Sequence, residues 1–384
     1  MRIVDVCAFY SPKGGGVKTY IEQKLNIAPG LGHDVTILAP GDRDDVTEYG
    51  PGARIMTLAA PRFPLDRKYW YFADEGSLHR ALDRLGADVV EASSPWRSAS
   101  MVARWEGPAH RSLVMHADPL SAYAYRWFGP LMTQQAIDRG FYRFWDHLRL
   151  LGAAFDTTIC ANHDLARRLR EGGVPGTHVQ PLGIETQVFS PARRDPQVRG
   201  RLLAACGLPE NARLLVGAGR LAPEKRWPMV VEAVAAASRS VPVGLVLFGE
   251  GRERQAVLRA IGGNPHIRLF EPQRDRAIFA AILASADGVV HGCEAETFCM
   301  VAAEACASAT PVIVPDRGGA SDHARSGGGV TFKAASALHL ANTITRFCAE
   351  NRPMKGMARP ISHQEHFAQL FAHYEGLGRD RRVA

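Results

Sequence analysis

The first half of the chain alternates short apolar runs with longer stretches in which apolar residues recur at helical spacing. Residues 3–9 (IVDVCAF) form the first run, and Val17, Ile21 and Leu25 then repeat every four residues. A continuous apolar run predicts a strand buried on both faces, and the four-residue repeat predicts a helix. Further strands are predicted at residues 33–39, 88–91, 112–115 and 157–160. This alternation predicts a parallel sheet with helices on its faces.

The same alternation restarts after about residue 185. Strands are predicted at residues 213–219, 243–248, 267–270, 288–291 and 311–314, and helices at residues 227–237, 252–261, 276–284 and about 300–307. Between the halves, residues 180–200 (QPLGIETQVFSPARRDPQVRG) carry three prolines and two glycines, which predicts a linker. We therefore predict an α/β protein of two doubly wound, Rossmann-like domains. Ligands of such sheets bind beyond the carboxyl ends of the strands, so functional residues should follow strands in both halves.

The composition is that of a globular protein. Of 384 residues, 46% are apolar and 22% are charged, with a net charge of +7 that suits an anionic substrate, an acidic membrane surface or simple solvation. The sequence shows neither a signal-peptide core nor the ~18 apolar residues that span a bilayer. Seven cysteines without a Cys-x-x-Cys pair predict reduced packing residues. We therefore expect a cytoplasmic protein, either soluble or peripheral to the inner face of the membrane.

A glycine-rich stretch, residues 11–19 (SPKGGGVKT), follows the first predicted strand. Exposed backbone N–H groups at a helix N-terminus form an anion site, although a tight turn would use the same glycines. A P-loop ATPase requires glycine directly before its Lys-Thr pair, and here that residue is Val17, whose branched Cβ resists positive φ. The ATPase is therefore a less favoured alternative.

Two further stretches carry charged residues beside predicted helix starts. In residues 219–226 (GRLAPEKR), Arg220 and Lys225 are placed to bind phosphate oxygens, or else form a solvated basic loop. Farther on, Glu296 and Glu304 are separated by seven residues. We predict that Glu296 faces the cleft from a loop. Glu304 lies among alanines of a helix, where a buried carboxylate needs a partner, either a ribose diol or an arginine.

These three motifs, in this order, resemble the retaining GT-B glycosyltransferases of family four. The matching pieces are Gly15-Gly16-Val17, residues 219–221 (GRL) with Glu224-Lys225, Glu296 with Glu304, and residues 311–319 (PVIVPDRGG). The linker stretch 181–191 (PLGIETQVFSP) and residues 33–36 (HDVT) are also similar to family motifs, so the resemblance covers nearly the whole chain. Thr297 and Cys299 depart from it because glycine is common at both positions, and Asn162-His163 replace the usual Ser-Glu.

The resemblance implies a role for each matching residue. Arg220 and Lys225 would neutralise the donor diphosphate, Glu296 would face the donor sugar, and His116 would be the active-site histidine beside that sugar. The residues implied to bind the nucleotide-sugar are Gly15, Gly16, Phe298, Cys299, Met300 and Glu304. The resemblance also implies that a helix predicted at residues 361–377 crosses back, so that residues 360–384 join domain 1–185 and leave 186–359 as the donor domain.

The implied activity is transfer of a hexose, with retention of configuration, from a UDP- or GDP-sugar to a glycan or lipid-linked acceptor. No cofactor, obligatory metal or nucleic acid is implied. Asp42-Arg43-Asp44 matches the Asp-x-Asp of metal-dependent GT-A enzymes, but so short a match is common by chance. A sugar-nucleotide epimerase of the same fold and a non-catalytic nucleotide-sugar binder remain alternatives.

Two aromatic and basic stretches, residues 60–76 and 121–130, lie in the first half. Aromatic rings stack on sugar faces, and the combination with basic residues also suits a membrane surface, although core packing accounts for many such rings. We expect the acceptor on this side of the cleft, with peripheral membrane association as a further expectation.

Overall fold

The computed structural model describes residues 1–8, 10, 16–64, 67, 69–129, 131–350 and 359–383, the last five by backbone alone. The first half forms an eight-stranded sheet in the order β3-β4-β2-β1-β5-β6-β7-β8, in which only β3 is antiparallel to its neighbour. Its strands are β1 Arg2–Val6, β2 Asp34–Gly41, β3 Asp45–Gly50, β4 Ala53–Ala59, β5 Val89–Ser93, β6 His110–Met115, β7 Thr157–Cys160 and β8 Thr177–Val179.

The second half forms a six-stranded parallel sheet in the order β11-β10-β9-β12-β13-β14. Its strands are β9 Arg213–Ala218, β10 Val243–Phe248, β11 Ile267–Phe270, β12 Gly288–Val290, β13 Val312–Pro315 and β14 Gly329–Phe332. In both sheets the order of strands reverses next to the first strand of the unit, which is where a doubly wound sheet opens a crevice for ligands.

Helices cover the faces of the two sheets. Those of the first half are α1 Gly16–Ile27, α2 Glu75–Leu85, α3 Arg97–Arg104, α4 Tyr125–Phe128, α5 Gln134–Gly140, α6 Tyr142–Ala154 and α7 His163–Glu171. Those that follow are α8 Pro196–Ala205, α9 Trp227–Ala237, α10 Arg254–Ile261, α11 Arg276–Ser285, α12 Met300–Ala307, α13 Gly319–His323, α14 Ala337–Ala349 and α15 His363–Val383. Among the described residues, no helix is both long and apolar enough to span a bilayer.

The two doubly wound units confirm the predicted fold class. Several predicted bounds are reproduced to the residue, among them β7, β10, β11, α9 and α12. The hairpin of β3 and β4 has no counterpart in the prediction. β3 lies at the sheet edge with nearly all its side chains exposed, so it carries no apolar pattern, whereas β4 buries Ala53, Ile55 and Leu58 and was not predicted either.

The last helix completes the first unit. α15 places Phe367, Leu370 and Phe371 in the core beneath β1, where they pack with Ile3 and Ile21. The crossing chain is held by backbone hydrogen bonds between Ile184 and the segment that precedes α15. The crossing that the resemblance implies is therefore present, and the C-terminal helix ties the two halves together.

Candidate active site

A cleft of about 730 Å³ lies between the carboxyl ends of the two sheets. It is lined from both halves by residues that follow strands, as the fold predicts. The polar and charged lining residues are His116, Asp118, Tyr123 and Arg126 from the first half, and Arg220, Glu224, Lys225, Glu250, Arg252, Glu296 and Thr297 from the second. The cleft thus brings together all four residues predicted to be catalytic: His116, Arg220, Lys225 and Glu296.

The loop after β9 is shaped by glycines. Gly219 packs against Gly249 so closely that a Cβ at Gly249 would lie 2.2 Å from the Gly219 carbonyl oxygen. The Trp227 indole N–H donates to the Arg220 carbonyl at 3.0 Å and holds the loop over α9. The Arg220 side chain is 76% exposed, and its one ion-pair partner in the described part of the chain is Glu224, at 3.1 Å. It is therefore free to turn toward an anion in the cleft.

Glu296 is the centre of the charged network. Its Oε1 accepts hydrogen bonds from the Lys225 ammonium and from His291 Nε2, the latter at 3.1 Å. Burial alone would raise the pKa of Glu296, but the hydrogen bond from His291 and the charge of Lys225 hold it well below its usual range. The pKa of Lys225 is raised, since the attraction of Glu296 outweighs its burial. Both groups therefore remain charged, with one cation and one anion fixed at the cleft floor.

Two glycines of the segment after β13 support the Glu296 loop from beneath. The Gly319 N–H donates to the Glu296 carbonyl at 2.7 Å, and a Cβ at Gly319 would lie 2.6 Å from backbone atoms of Thr297 and Phe298. Gly318 has φ +75°, and a Cβ there would lie 2.3 Å from the Glu294 carbonyl oxygen. Only glycine fits such a contact, so Gly318 and Gly319 allow the Glu296 loop to pack closely on them and fix its conformation.

His116 follows β6 and packs edge-on against Tyr20 with ring centroids 4.9 Å apart. Burial lowers the pKa of His116 to about 4, so its imidazole is neutral at physiological pH. Its carbonyl accepts a hydrogen bond from Thr297 Oγ1 at 3.3 Å. The predicted active-site histidine is thus coupled directly to the loop of the other half.

The residues predicted to bind the donor do not all lie in the cleft, in contrast to the four predicted catalytic residues. Gly15 lies outside the described residues, and Gly16 is the exposed first residue of α1. Phe298 and Cys299 are buried and Met300 half-buried at the start of α12, none of them among the side chains that line the cleft. Cys299 adopts φ +70°, the left-handed region that its glycine counterpart would occupy without strain.

Glu304 is buried in α12 and outside the cleft lining. Its Oε1 accepts a hydrogen bond at 2.6 Å from Arg276, which also donates to Glu185 at 2.9 Å. The sequence predicted either a ribose diol or an arginine as the partner of the Glu304 carboxylate, and in the structure that partner is an arginine. The role of Glu304 toward a ribose stays a prediction, and Arg276 is a partner that sequence reasoning did not identify because it is distant along the chain.

Two cationic residues that line the cleft, Arg252 and Arg126, were not predicted from the sequence. Arg252 follows the Gly249-Glu250-Gly251 turn after β10, and Arg126 lies on α4 with a buried Nε that has no partner among the described residues. The position of Arg252 just after a strand was a usable signal, whereas Arg126 lies on a helix and had none. Asp118 also lines the cleft, but Arg168 and Ser121 bind its carboxylate. Its part is structural.

One group of side chains has the composition of a metal site. The donor atoms of His291, Glu296 and Cys299 lie within 4.8 Å of one another in the described part of the chain. The Lys225 ammonium already neutralises this carboxylate. A metal ion there would have to displace that cation, so the group fits a metal poorly.

The two halves meet through hydrogen bonds beside the cleft. Asn162 Nδ2 donates to the Thr297 carbonyl at 2.7 Å, and the His163 N–H donates to Asp322 at 2.7 Å. Asn162 Oδ1 at the same time caps α7 by accepting from the Leu165 N–H at 2.7 Å. Asn162-His163, which depart from the resembled Ser-Glu, thus lie at the joint between the halves.

Comparison with known families agrees with this geometry. Residues 200–362 match the family described as Glycosyl transferases group 1, and residues 15–184 match the Glycosyl transferase 4-like domain. Among solved structures, the chain is similar to sucrose-phosphate synthase from Thermosynechococcus elongatus, with a TM-score of 0.70, 20% identity, and coverage of 100% of this chain and 98% of that one. At that identity the likeness concerns the fold, and the fold is GT-B.

Curated relatives extend the comparison. The chain is 29% identical to the GDP-mannose-dependent alpha-(1-6)-phosphatidylinositol dimannoside mannosyltransferase of Mycobacterium tuberculosis, over 92% of this chain and 85% of that protein. It is 28% identical to a GDP-mannose-dependent alpha-mannosyltransferase of the same species, over 100% of this chain and 98% of that one. These comparisons favour the transferase over two of the alternatives, the epimerase and the ATPase.

Proposed function

The chain belongs to the group 1 glycosyltransferases, and from that premise we propose that it transfers mannose from GDP-mannose to a lipid-linked acceptor. One observation carries the proposal: Lys225, Glu296 and Arg220 face His116 across a cleft between two Rossmann-like units. The curated relatives named above use GDP-mannose, and the first of them acts on a phosphatidylinositol dimannoside. Donor and acceptor class are taken from them.

The diphosphate of the donor would lie between Lys225 and Arg220. Transfer builds negative charge on the leaving phosphate, and fixed cations aimed at that charge are worth several kcal/mol in a site that excludes water. Lys225 is held in place by Glu296, whereas Arg220 is free to close on the phosphate once the donor enters. Arg126 and Arg252 add further positive charge on opposite walls of the cleft.

We propose that the configuration at the anomeric carbon is retained without a covalent enzyme intermediate. All four carboxylates among the described cleft-lining residues are paired with cations: Asp118, Glu224, Glu250 and Glu296. In front-face attack, the bond from the anomeric carbon to the phosphate oxygen breaks while the acceptor oxygen bonds to the same face. The acceptor proton passes to the departing phosphate oxygen, so no carboxylate base is needed.

Neutral His116 would donate a hydrogen bond to a hydroxyl of the mannosyl group, which fits its depressed pKa and its place at the cleft wall. No metal is required in this scheme, because Lys225 and Arg220 supply the positive charge. Transfer that persists in EDTA would support metal independence. Activity restored only by added Mg²⁺ or Mn²⁺ would overturn it.

Transfer itself is tested with GDP-[¹⁴C]mannose and a phosphatidylinositol mannoside dispersed in detergent. We expect label in the organic phase, with GDP released in equal amount, and an α-linkage in the NMR spectrum of the product. UDP-glucose in place of GDP-mannose is the control donor. Hydrolysis of GDP-mannose without labelled lipid, or a β-linked product, would contradict the proposal.

A further inference from the structure

The core of the first half contains a set of buried charges that the proposed mechanism does not use. Asp5 of β1 and Glu91 of β5 are register partners on neighbouring strands, and the Lys24 ammonium of α1 contacts both carboxylates, that of Asp5 at 2.9 Å. All three side chains are fully buried, and we call them the buried triad. Burial lowers the pKa of Lys24, but the charges of Asp5 and Glu91 raise it above its usual range, so Lys24 is a cation.

Stability alone does not account for the buried triad. Taking charged groups out of water costs several kcal/mol per ion, and apolar side chains of similar volume often stabilise a fold as well or better. Ser93 Oγ also donates to Asp5, at 2.8 Å, and so fixes that carboxylate further. Lys24 is therefore held at one point over the sheet, and this contact sets the rotation of α1 about its own axis.

The rotation of α1 directs Tyr20 toward the cleft end of the sheet. Tyr20 and Lys24 are four residues apart and share one face of the helix, and Tyr20 lies one turn nearer the start of α1. Lys24 Nζ lies 5.6 Å from the centroid of the Tyr20 ring, within the range of a cation–π contact. From α15, His366 Nε2 lies 3.3 Å from the Tyr20 hydroxyl, and Phe367 packs on its ring with centroids 5.3 Å apart. Tyr20 is thus buried and held by both helices.

The imidazole of His116 packs on this fixed ring. The two ring planes meet edge to face at 65°, with centroids 4.9 Å apart. Among the described residues, no side chain forms a hydrogen bond with the His116 imidazole, although His116 lines the cleft. The direction in which the imidazole points therefore depends on the ring of Tyr20.

We propose that Tyr20 is a positioning residue for His116, and that the buried triad holds Tyr20 in the place this contact requires. Tyr20 is not among the described residues that line the cleft, so it acts through His116. It keeps the imidazole aimed at the mannosyl group while the second half binds the diphosphate. The inference rests on the proposed function, because His116 receives its role there.

The test compares Tyr20→Leu, which removes the ring, with Tyr20→Phe, which keeps the ring and loses only the hydroxyl. Phe155→Leu is the matched control, because the Phe155 ring is buried on the opposite face of the first sheet. Steady-state transfer from GDP-mannose to the detergent-dispersed acceptor is measured for each variant, both alone and in a His116→Gln background. Thermal unfolding of the same preparations measures the stability that each substitution costs.

We expect Tyr20→Leu to lower kcat by about tenfold or more, while KM for GDP-mannose changes by less than about twofold, because Lys225 and Arg220 bind the diphosphate. Tyr20→Phe should keep about half of the wild-type kcat or more, and Phe155→Leu should keep all of it despite a lower melting temperature. In the His116→Gln background, Tyr20→Leu should cause no further loss, since a residue that acts through His116 has no effect without it. Independent losses at the two positions, or equal losses in Tyr20→Leu and Phe155→Leu, would overturn the proposal.

A second measurement requires no turnover. In protein labelled with [¹³C]histidine, the Cε1–H signal of His116 is assigned by its absence in His116→Gln and reports the ring current of Tyr20. We expect this signal to stay near its wild-type position in Tyr20→Phe and to move in Tyr20→Leu. A wild type that transfers no mannose would contradict the proposed function alone, whereas an unmoved signal in Tyr20→Leu would refute the positioning role.

The part of the buried triad is tested by Asp5→Asn with Lys24→Met and Glu91→Gln, which removes the charges and keeps similar shapes. We expect this triple variant to fold, its His116 signal to move as in Tyr20→Leu, and kcat to fall about tenfold. If it does not fold, Ser93→Ala, which removes one hydrogen bond to Asp5, takes its place and should move the signal by a smaller amount in the same direction. An unmoved signal in the folded variant would overturn the role of the triad.

Discussion

At the scale of single residues, the chemistry of the cleft depends on a few fixed charges. Lys225 and Glu296 come from loops 71 residues apart. The charge of Glu296 keeps Lys225 ionised, and the hydrogen bond from His291 together with the charge of Lys225 keeps Glu296 ionised, where burial alone would favour the neutral forms. Arg220 is exposed and held only at the surface. The site therefore combines a preorganised cation, Lys225, with an exposed one, Arg220. This arrangement suits a donor that must enter the cleft before its diphosphate is enclosed.

Lys225→Ala should lower kcat/KM for mannosyl transfer by about 100-fold or more, because a preorganised positive charge at the leaving group is lost. Steady-state assays with GDP-mannose measure the effect. Lys333→Ala, which removes an exposed lysine of the same half, is the control and should leave kcat/KM unchanged. A Lys225 variant with wild-type kinetics would remove this residue from the mechanism.

Gly319→Ala should disturb the Glu296 loop, since the new Cβ would overlap backbone atoms of Thr297 and Phe298. Backbone atoms cannot move aside as a flexible side chain does, so we expect at least a tenfold loss of kcat/KM together with a lower melting temperature. Gly200→Ala is the matched substitution, because nothing lies within 4 Å of the added Cβ in α8. Equal behaviour of the two variants would show that the loop does not depend on this contact.

At the scale of elements, α15 is held in the first unit by a buried histidine as well as by its aromatic residues. His366 hydrogen bonds through Nδ1 to the Pro181 carbonyl at 2.7 Å and lies 3.3 Å from the Tyr20 hydroxyl. Burial lowers its pKa to about 3. The imidazole is therefore neutral in the folded protein at neutral and mildly acidic pH.

This depressed pKa predicts a dependence of stability on pH. As the pH falls below about 6.5, the unfolded chain binds a proton at His366 while the folded protein does not, so stability is complete above 6.5 and declines toward the folded pKa. Between pH 7 and pH 5 the loss from this group is about 2 kcal/mol. Urea unfolding at both pH values should show a smaller decline for His366→Gln than for wild type. His339→Gln, at an exposed site, should leave the wild-type decline unchanged.

Buried elements could be predicted from the sequence more completely than the contacts within the site. Buried strands such as β10 and helices such as α9 could be predicted from the sequence, because burial imposes an apolar pattern on their residues. The exposed edge strand β3 carried none. The four predicted catalytic residues meet in the cleft because each lies in a loop that begins just after a strand. His291, the partner of Glu296, and Arg276, the partner of Glu304, were not predicted. Local spacing along the chain does not show which side chains from other segments contact each other.

At the scale of the whole molecule, the cleft depends on how the halves are joined. Asn162 contributes to two structures at once, the start of α7 and the backbone of Thr297 in the opposite half. Its neighbour in sequence, His163, makes a second contact across the joint. The geometry of the site is thus a property of both domains together, and a change at the joint should affect catalysis more than folding.

Asn162→Asp separates these two effects. Aspartate keeps an oxygen to cap α7 but has no N–H to donate to the Thr297 carbonyl. We expect about a tenfold loss of kcat/KM with little change in melting temperature, whereas Asn162→Ala should also lose about 1 kcal/mol of stability with the cap. Kinetics and thermal unfolding on the same preparations distinguish the variants. Wild-type kinetics in Asn162→Asp would show that the joint does not set the cleft.

The central claim is that this cleft binds the donor through its diphosphate, and thermal unfolding with GDP, UDP, ADP and GDP-mannose tests it most directly. A ligand at 100 times its dissociation constant stabilises the folded state by about 2.7 kcal/mol, which is readily seen as a shift in melting temperature. We predict a shift with GDP and GDP-mannose that is lost in Lys225→Ala and reduced in Arg220→Ala. Stabilisation by GDP that persists unchanged in both variants, or none by any nucleotide, would contradict the account.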